Sequence, residues 1–224
     1  MPRRPVRPAG PLAHGPGIMA LVLWPALITL AVTIVRLVGE LRGWSPAYFS
    51  RLPGGGLSPL GITWLAPLLG LYVGWRLARA GVPAPHPVVT VGVPLLAVAT
   101  GMLAALLVGR LAKTGWTTNL GLWGAVSVLI AAVVFACWPA VGRILLAYAY
   151  AARIPVAIVM ALAIWGHWGT HYDVPPPGYP PMLPLRRWLW TGLLPQGTIW
   201  IAWTLATGMI LAPLGHWAGA LRRR

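Results

Sequence analysis

Two acidic residues, Glu40 and Asp173, stand against seventeen Lys and Arg in a chain of 224 residues that is 58% hydrophobic and 8% charged. A water-soluble domain needs charged surface of both signs, so this composition excludes an ordinary soluble fold and points to one that faces lipid. The net charge of +15 does not indicate nucleic acid: the basic residues are scattered singly or in pairs between apolar runs, a pattern that suits anionic lipid headgroups better than a nucleic-acid surface.

Uncharged stretches run 8–35, 52–75, 80–109, 114–142, 154–172 and 188–221. Crossing ~30 Å of hydrocarbon takes ~20 mostly apolar residues. Five of the stretches suffice alone. The fifth in order, 154–172, extends back through Ile144–Ala152 if Arg153 is tolerated. The pattern predicts helices near 17–38, 57–78, 87–109, 118–138, 142–166 and 196–217. The expected fold class is an all-α integral membrane protein, a bundle of six transmembrane helices over 17–217. A basic Pro-rich tail (1–16) precedes it and a basic tail (218–224) follows. A β-barrel would alternate lumen-facing and lipid-facing residues, and runs such as Gly121–Cys137 do not.

Arg3, Arg4 and Arg7 form a basic segment before the first apolar run. That run is longer than the core of a cleaved leader and no small-x-small site follows it, so the first helix is expected to be retained. Inner segments would hold nine basic residues and outer segments seven, leaving Arg153 aside, which favours cytoplasmic N- and C-termini.

The connections differ. Ala80–Pro87 and Cys137–Arg143 are short. Glu40–Leu57 and Thr170–Pro195 are longer and fall on one predicted face. The second carries Pro175–Pro177, Pro180, Pro181, Pro184 and Pro195 among aromatic residues. It is expected to be extended, polyproline-like backbone ordered as an interfacial cap over 170–195, the Pro-rich loop between helices 5 and 6. Fourteen tryptophans, including Trp44, Trp116, Trp138, Trp165, Trp168 and Trp217 near span ends, suggest an interfacial belt. Gly70-x-x-x-Gly74 and Ala147-x-x-x-Ala151 permit close helix approach. No internal repeat is visible. The lone Cys137 excludes an intramolecular disulfide.

The polar residues gather at the ends of the first and fifth helices. Arg36 and Glu40, four apart, share a helix face and can pair. His167 and His171 are also four apart, and Asp173 follows. If the helix continues through Gly169, the two imidazoles could ligate a metal ion, with Asp173 or Glu40 supplying oxygen. The alternative is an interfacial hydrogen-bond cluster. A bis-histidine haem needs ligands from two helices, which this pair does not offer, and His216 lies at the other depth.

Arg153 is the second anomaly, a cation deep in the fifth helix with Pro155 just beyond it. It would snorkel to headgroups, bond carbonyls freed by the proline, or contact an anion inside the bundle. No phosphate-binding glycine loop, nucleophile elbow or His-Glu-x-x-His occurs, and no chain of acidic residues suits a proton relay.

Three functions are therefore expected in turn. The first is a non-catalytic accessory subunit packed against lipids and a membrane-protein partner or a second copy. The second is an integral membrane enzyme or metal protein with its site at His167, His171, Asp173 and Glu40. The third is a small-solute transporter with Arg153 in a cavity.

Overall fold

The computed structural model describes residues 17–53, 58–113 and 115–222, and these are helical without strands. The predicted tail 1–16, part of the Gly-rich loop near Gly54–Gly56, and Arg223–Arg224 lie outside the described residues. Helix α1 is Ile18–Leu41, α2 Leu65–Arg79, α3 Val88–Leu111, α4 Trp116–Cys137 and α5 Pro139–Gly166. An arm, α6, covers 184–197, and α7 is Ile199–Leu221. Among the described residues, five helical runs are long and apolar enough to cross a membrane, the last being the combined Pro184–Leu221.

Two predicted elements change. The second helix was expected over 57–78 but starts at Leu65. Residues 58–64 instead fold as turns around Pro59 and Gly61, with the Trp64 indole donating to the Pro59 carbonyl at 2.8 Å. At 15 residues α2 is ~22 Å long, short of a full hydrocarbon crossing. The cap expected to be extended over 170–195 is helical from Pro184 onward. Proline fits the first turn of a helix, where its missing N–H is not needed. Pro184 opens Pro184–Arg187, whereas Pro195, in Leu194–Gly197, lies inside the arm. Between them Trp188–Leu193 is a π segment. The same device precedes Pro94, where Val88–Gly92 is π before α3 continues. A π turn absorbs the hydrogen bond that an interior proline cannot donate. Thr198, with φ −129° and ψ −69°, separates α6 from α7.

The closest helix pair is α2 with α7. A Cβ added at Gly70 or Gly74 of α2 would strike the backbone of Gly208 or Ala212, and one at Gly215 of α7 would strike Leu71. The rising order of the contacts on both helices makes the pair parallel. The Gly70-x-x-x-Gly74 stripe thus finds its partner within the same chain. The other stripe does not, since Ala151 is exposed. Leu69, Val73, Val141, Leu145, Leu205 and Met209 fill the space these helices share with α5. Trp138, expected in the interfacial belt, is instead 3% exposed and packs edge-on against His216. It is the single residue between α4 and α5. Apolar α1 and α3 surfaces face outward, including Met19, Trp24, Leu103 and Leu111.

Helix α1 runs beside α5 in the same direction and opposite to α2. This brings the loop after α1 and the turn after α5 to one end of the bundle, as alternation of the helices predicted.

Candidate functional site

Helix α5 ends at Gly166. His167 caps it in the left-handed conformation, φ 50°, and Gly169 is also left-handed at φ 64°. The chain therefore reverses before His171, so the i,i+4 geometry expected of His167 and His171 does not form. His167 is exposed. Asp173 organises the turn that follows. Its carboxylate accepts the Gly169 N–H at 2.9 Å, the Thr170 N–H at 2.7 Å and the Thr170 hydroxyl at 2.8 Å. Those bonds engage both oxygens in holding the backbone, and among the described residues no three His, Cys, Asp or Glu side chains are grouped to hold a metal ion.

The turn delivers His171 to α1. Glu40 is fully buried, and its carboxylate accepts the His171 N–H at 2.9 Å, contacts His171 Nδ1 at 2.5 Å and accepts Arg36 Nε at 2.9 Å. Arg51 donates to the Glu40 carbonyl, and Arg36 Nη2 to the Ser50 carbonyl at 3.3 Å. Burial pushes the His171 imidazole below its usual range, and although the Glu40 carboxylate pulls the other way, burial wins. The ring is then neutral near pH 7, with Nδ1–H donating to Glu40. Tyr172, its phenol pushed up by burial, rests on His171 with ring centroids 3.8 Å apart and donates to the Thr33 carbonyl at 3.4 Å. Of the predicted polar set, Arg36, Glu40, His171 and Asp173 thus meet at one end of the bundle, while His167 stands apart.

Beneath this cluster lies a cavity of about 220 Å³. Arg36 and Thr33 reach it from α1, Arg153 and Met160 from α5, Gln196 from α6 and Trp200 from α7, with Trp116 of α4 and the turn at His171 closing it. Arg153 is near the middle of α5, ~20 Å from either end. It neither snorkels nor bonds the carbonyls near Pro155. It is 5% exposed, and its Nε has no acceptor among the described residues. Its guanidinium lies over the Trp200 ring, 4.6 Å from the centroid. Gln196, 8% exposed, is likewise incomplete: Nε2 approaches the Met160 sulfur at 3.6 Å and, among the described residues, Oε1 has no donor.

The charges around the cavity are unevenly matched. Arg36 is balanced by Glu40, and Asp173 by backbone N–H groups. Arg153 has the Trp200 π face but, among the described residues, no carboxylate. A central arginine already costs ~2.5–3.5 kcal/mol on insertion scales. The arrangement is one that an anion would complete on Arg153, while Gln196 Oε1 is open to a donor from a protonated head or a water. Sequence reading singled out Arg153 but not Gln196 or Trp200 as its neighbours. An uncompensated amide in the apolar stretch 188–221 was the available signal. No protein-family model matches this chain, and no curated protein or solved structure is significantly similar to it.

Proposed function

We propose that this chain is a multi-pass membrane protein that binds a small anion in the cavity around Arg153, as the binding step of solute transport. Its termini are assigned to the cytoplasmic side from the arginine distribution. The single observation that supports binding is the buried Arg153, which faces a cavity with its Nε unbonded and no carboxylate paired to it among the described residues. A purely structural arginine is normally paired or bonded to carbonyls, because an uncompensated charge in low dielectric is costly. The aromatic contact with Trp200 offsets part of that cost. The exposed faces of α1 and α3 suit lipid and a partner subunit equally, so they favour neither. No observation favours the metal or enzyme reading over binding.

The test uses purified protein in zwitterionic nanodiscs, with empty nanodiscs as the blank. Phosphate, acetate, decanoate and the cation decyltrimethylammonium are titrated by calorimetry. Saturable binding of at least one anion, absent in Arg153→Gln and partly retained in Arg153→Lys, is the expected result. Failure of every anion, or equal binding by Arg153→Gln, overturns the reading.

A further inference from the structure

A second concavity, about 340 Å³ and almost wholly apolar, lies between α1 and α2. Leu69 and Tyr148 form its buried floor, and Trp24, Ile28 and Leu68 its exposed rim. It continues the seam that holds the Arg153 cavity. Along α1 the order is Trp24 and Ile28 at the groove, then Thr29, then Thr33 and Arg36 at the cavity. The α2 side runs oppositely, with Ile62 and Thr63 at the cavity and Leu65, Leu68 and Tyr72 at the groove. On α5, Tyr148 belongs to the groove and Arg153 to the cavity. Three elements therefore agree on one axis, polar at one end and apolar at the other.

The seam is open because α1 leans on α5 and makes little contact with α2. At its floor the hydrogen bond between Thr29 Oγ1 and Tyr148 Oη, at 2.7 Å, ties α1 to α5. Tyr148 and Arg153 are five residues apart on α5. From Thr33 to Trp24 the seam spans nine residues of α1, ~14 Å.

Resting on the anion-binding reading, we propose that the ligand is an anionic single-chain amphiphile drawn from the bilayer. Its carboxylate or phosphate head sits on Arg153, and its alkyl tail lies in the α1–α2 groove. The head supplies the negative charge that Arg153 lacks, and the tail covers the floor of Leu69. Tyr148 marks the junction and is the side chain that turns aside as the tail seats. Referred to the ligand in water, burial of each methylene favours the longer chain.

Acetate, hexanoate, decanoate and neutral decanol are titrated by calorimetry into the protein in zwitterionic nanodiscs, with empty nanodiscs subtracted. Decyl phosphate against inorganic phosphate separates a lipid-like ligand from a free anion. Decanoate is expected to bind at least about tenfold more tightly than acetate, and decyl phosphate more tightly than phosphate. Ile28→Trp and Leu68→Trp, which fill the groove from its rim, should weaken decanoate about tenfold and leave acetate unchanged. Equal affinity for short and long anions, abolished by Arg153→Gln, overturns the tail groove while leaving the anion cavity intact. Decanol binding as tightly as decanoate, with no effect of Arg153→Gln, overturns both. Displacement of decanoate solely by self-association of the protein assigns the groove to a second copy and overturns the proposal.

Discussion

His171 and Glu40 are 131 residues apart in sequence, yet both the backbone N–H and the ring of His171 bond one carboxylate that Arg36 also holds. This ties the turn after α5 to the end of α1. Glu40 is fully buried and is the sole carboxylate contacting Arg36 among the described residues. Glu40→Ala leaves a buried arginine without its anion, which costs roughly 3–5 kcal/mol. Thermal unfolding in detergent should show that loss. His171→Ala removes one neutral partner and should cost about 1–3 kcal/mol. The double variant should lose less than the sum, since the two side chains share one interaction.

The same contact sets a pH dependence. Burial lowers the folded-state pKa of His171 below its ordinary 6.5, with Arg36 adding to that and Glu40 and Asp173 opposing it. Below about pH 6.5 the unfolded chain thus binds a proton that the folded chain does not, so stability rises with pH in that window. Acidifying from pH 7 should lower the unfolding temperature, and the slope should end once the folded imidazole itself charges. His171→Gln should flatten this portion of the curve. An unfolding temperature that rises on acidification would contradict a buried neutral ring.

The α2–α7 interface makes a sharper steric prediction. Gly70 and Gly215 each face backbone of the other helix with no room for a Cβ, and backbone cannot move aside as a side chain can. Gly70→Ala and Gly215→Ala should each destabilise by about 1–3 kcal/mol. Gly92, whose added Cβ meets only Val88 Cγ1 at 3.8 Å, is the control. Gly92→Ala should stay within about 0.5 kcal/mol of the parent. Thermal unfolding of the three variants in one detergent checks the contrast.

The long helices were legible because a run of ~20 apolar residues is a length requirement set by the bilayer, independent of neighbours. Arg36 and Glu40 were legible because four residues bring side chains onto one helix face. The His167–His171 pair was misleading for a local reason. Gly166 ends α5 and His167 turns left-handed, so the helix stops before either histidine. Helical α6 was hidden because Pro184 opens it at a first-turn position, and Pro195 follows a π segment that accommodates it. Arg153 stood out as a lone charge, but its surroundings did not. Trp200 and Gln196 come from α7 and α6, and lateral helix order is set by glycine contacts that carry no signature of their neighbours.

Arg153 separates stability from binding in one residue. Its guanidinium is 5% exposed and its Nε unbonded, so folding bears its desolvation without full compensation. Leucine at this position would keep the apolar contact with Trp200 and remove the charge. Arg153→Leu should therefore raise the unfolding temperature, or leave it unchanged, in the absence of ligand. It should also abolish the stabilisation that decanoate gives the parent protein, since a ligand stabilises only what it binds. Lysine tests the geometry as well as the charge: its ammonium cannot stack as a plane on Trp200 or present the guanidinium fork. Arg153→Lys should retain weakened anion-dependent stabilisation. A marked fall in unfolding temperature in Arg153→Leu without ligand would show that the cation supports the bundle itself, through contacts worth more than its desolvation.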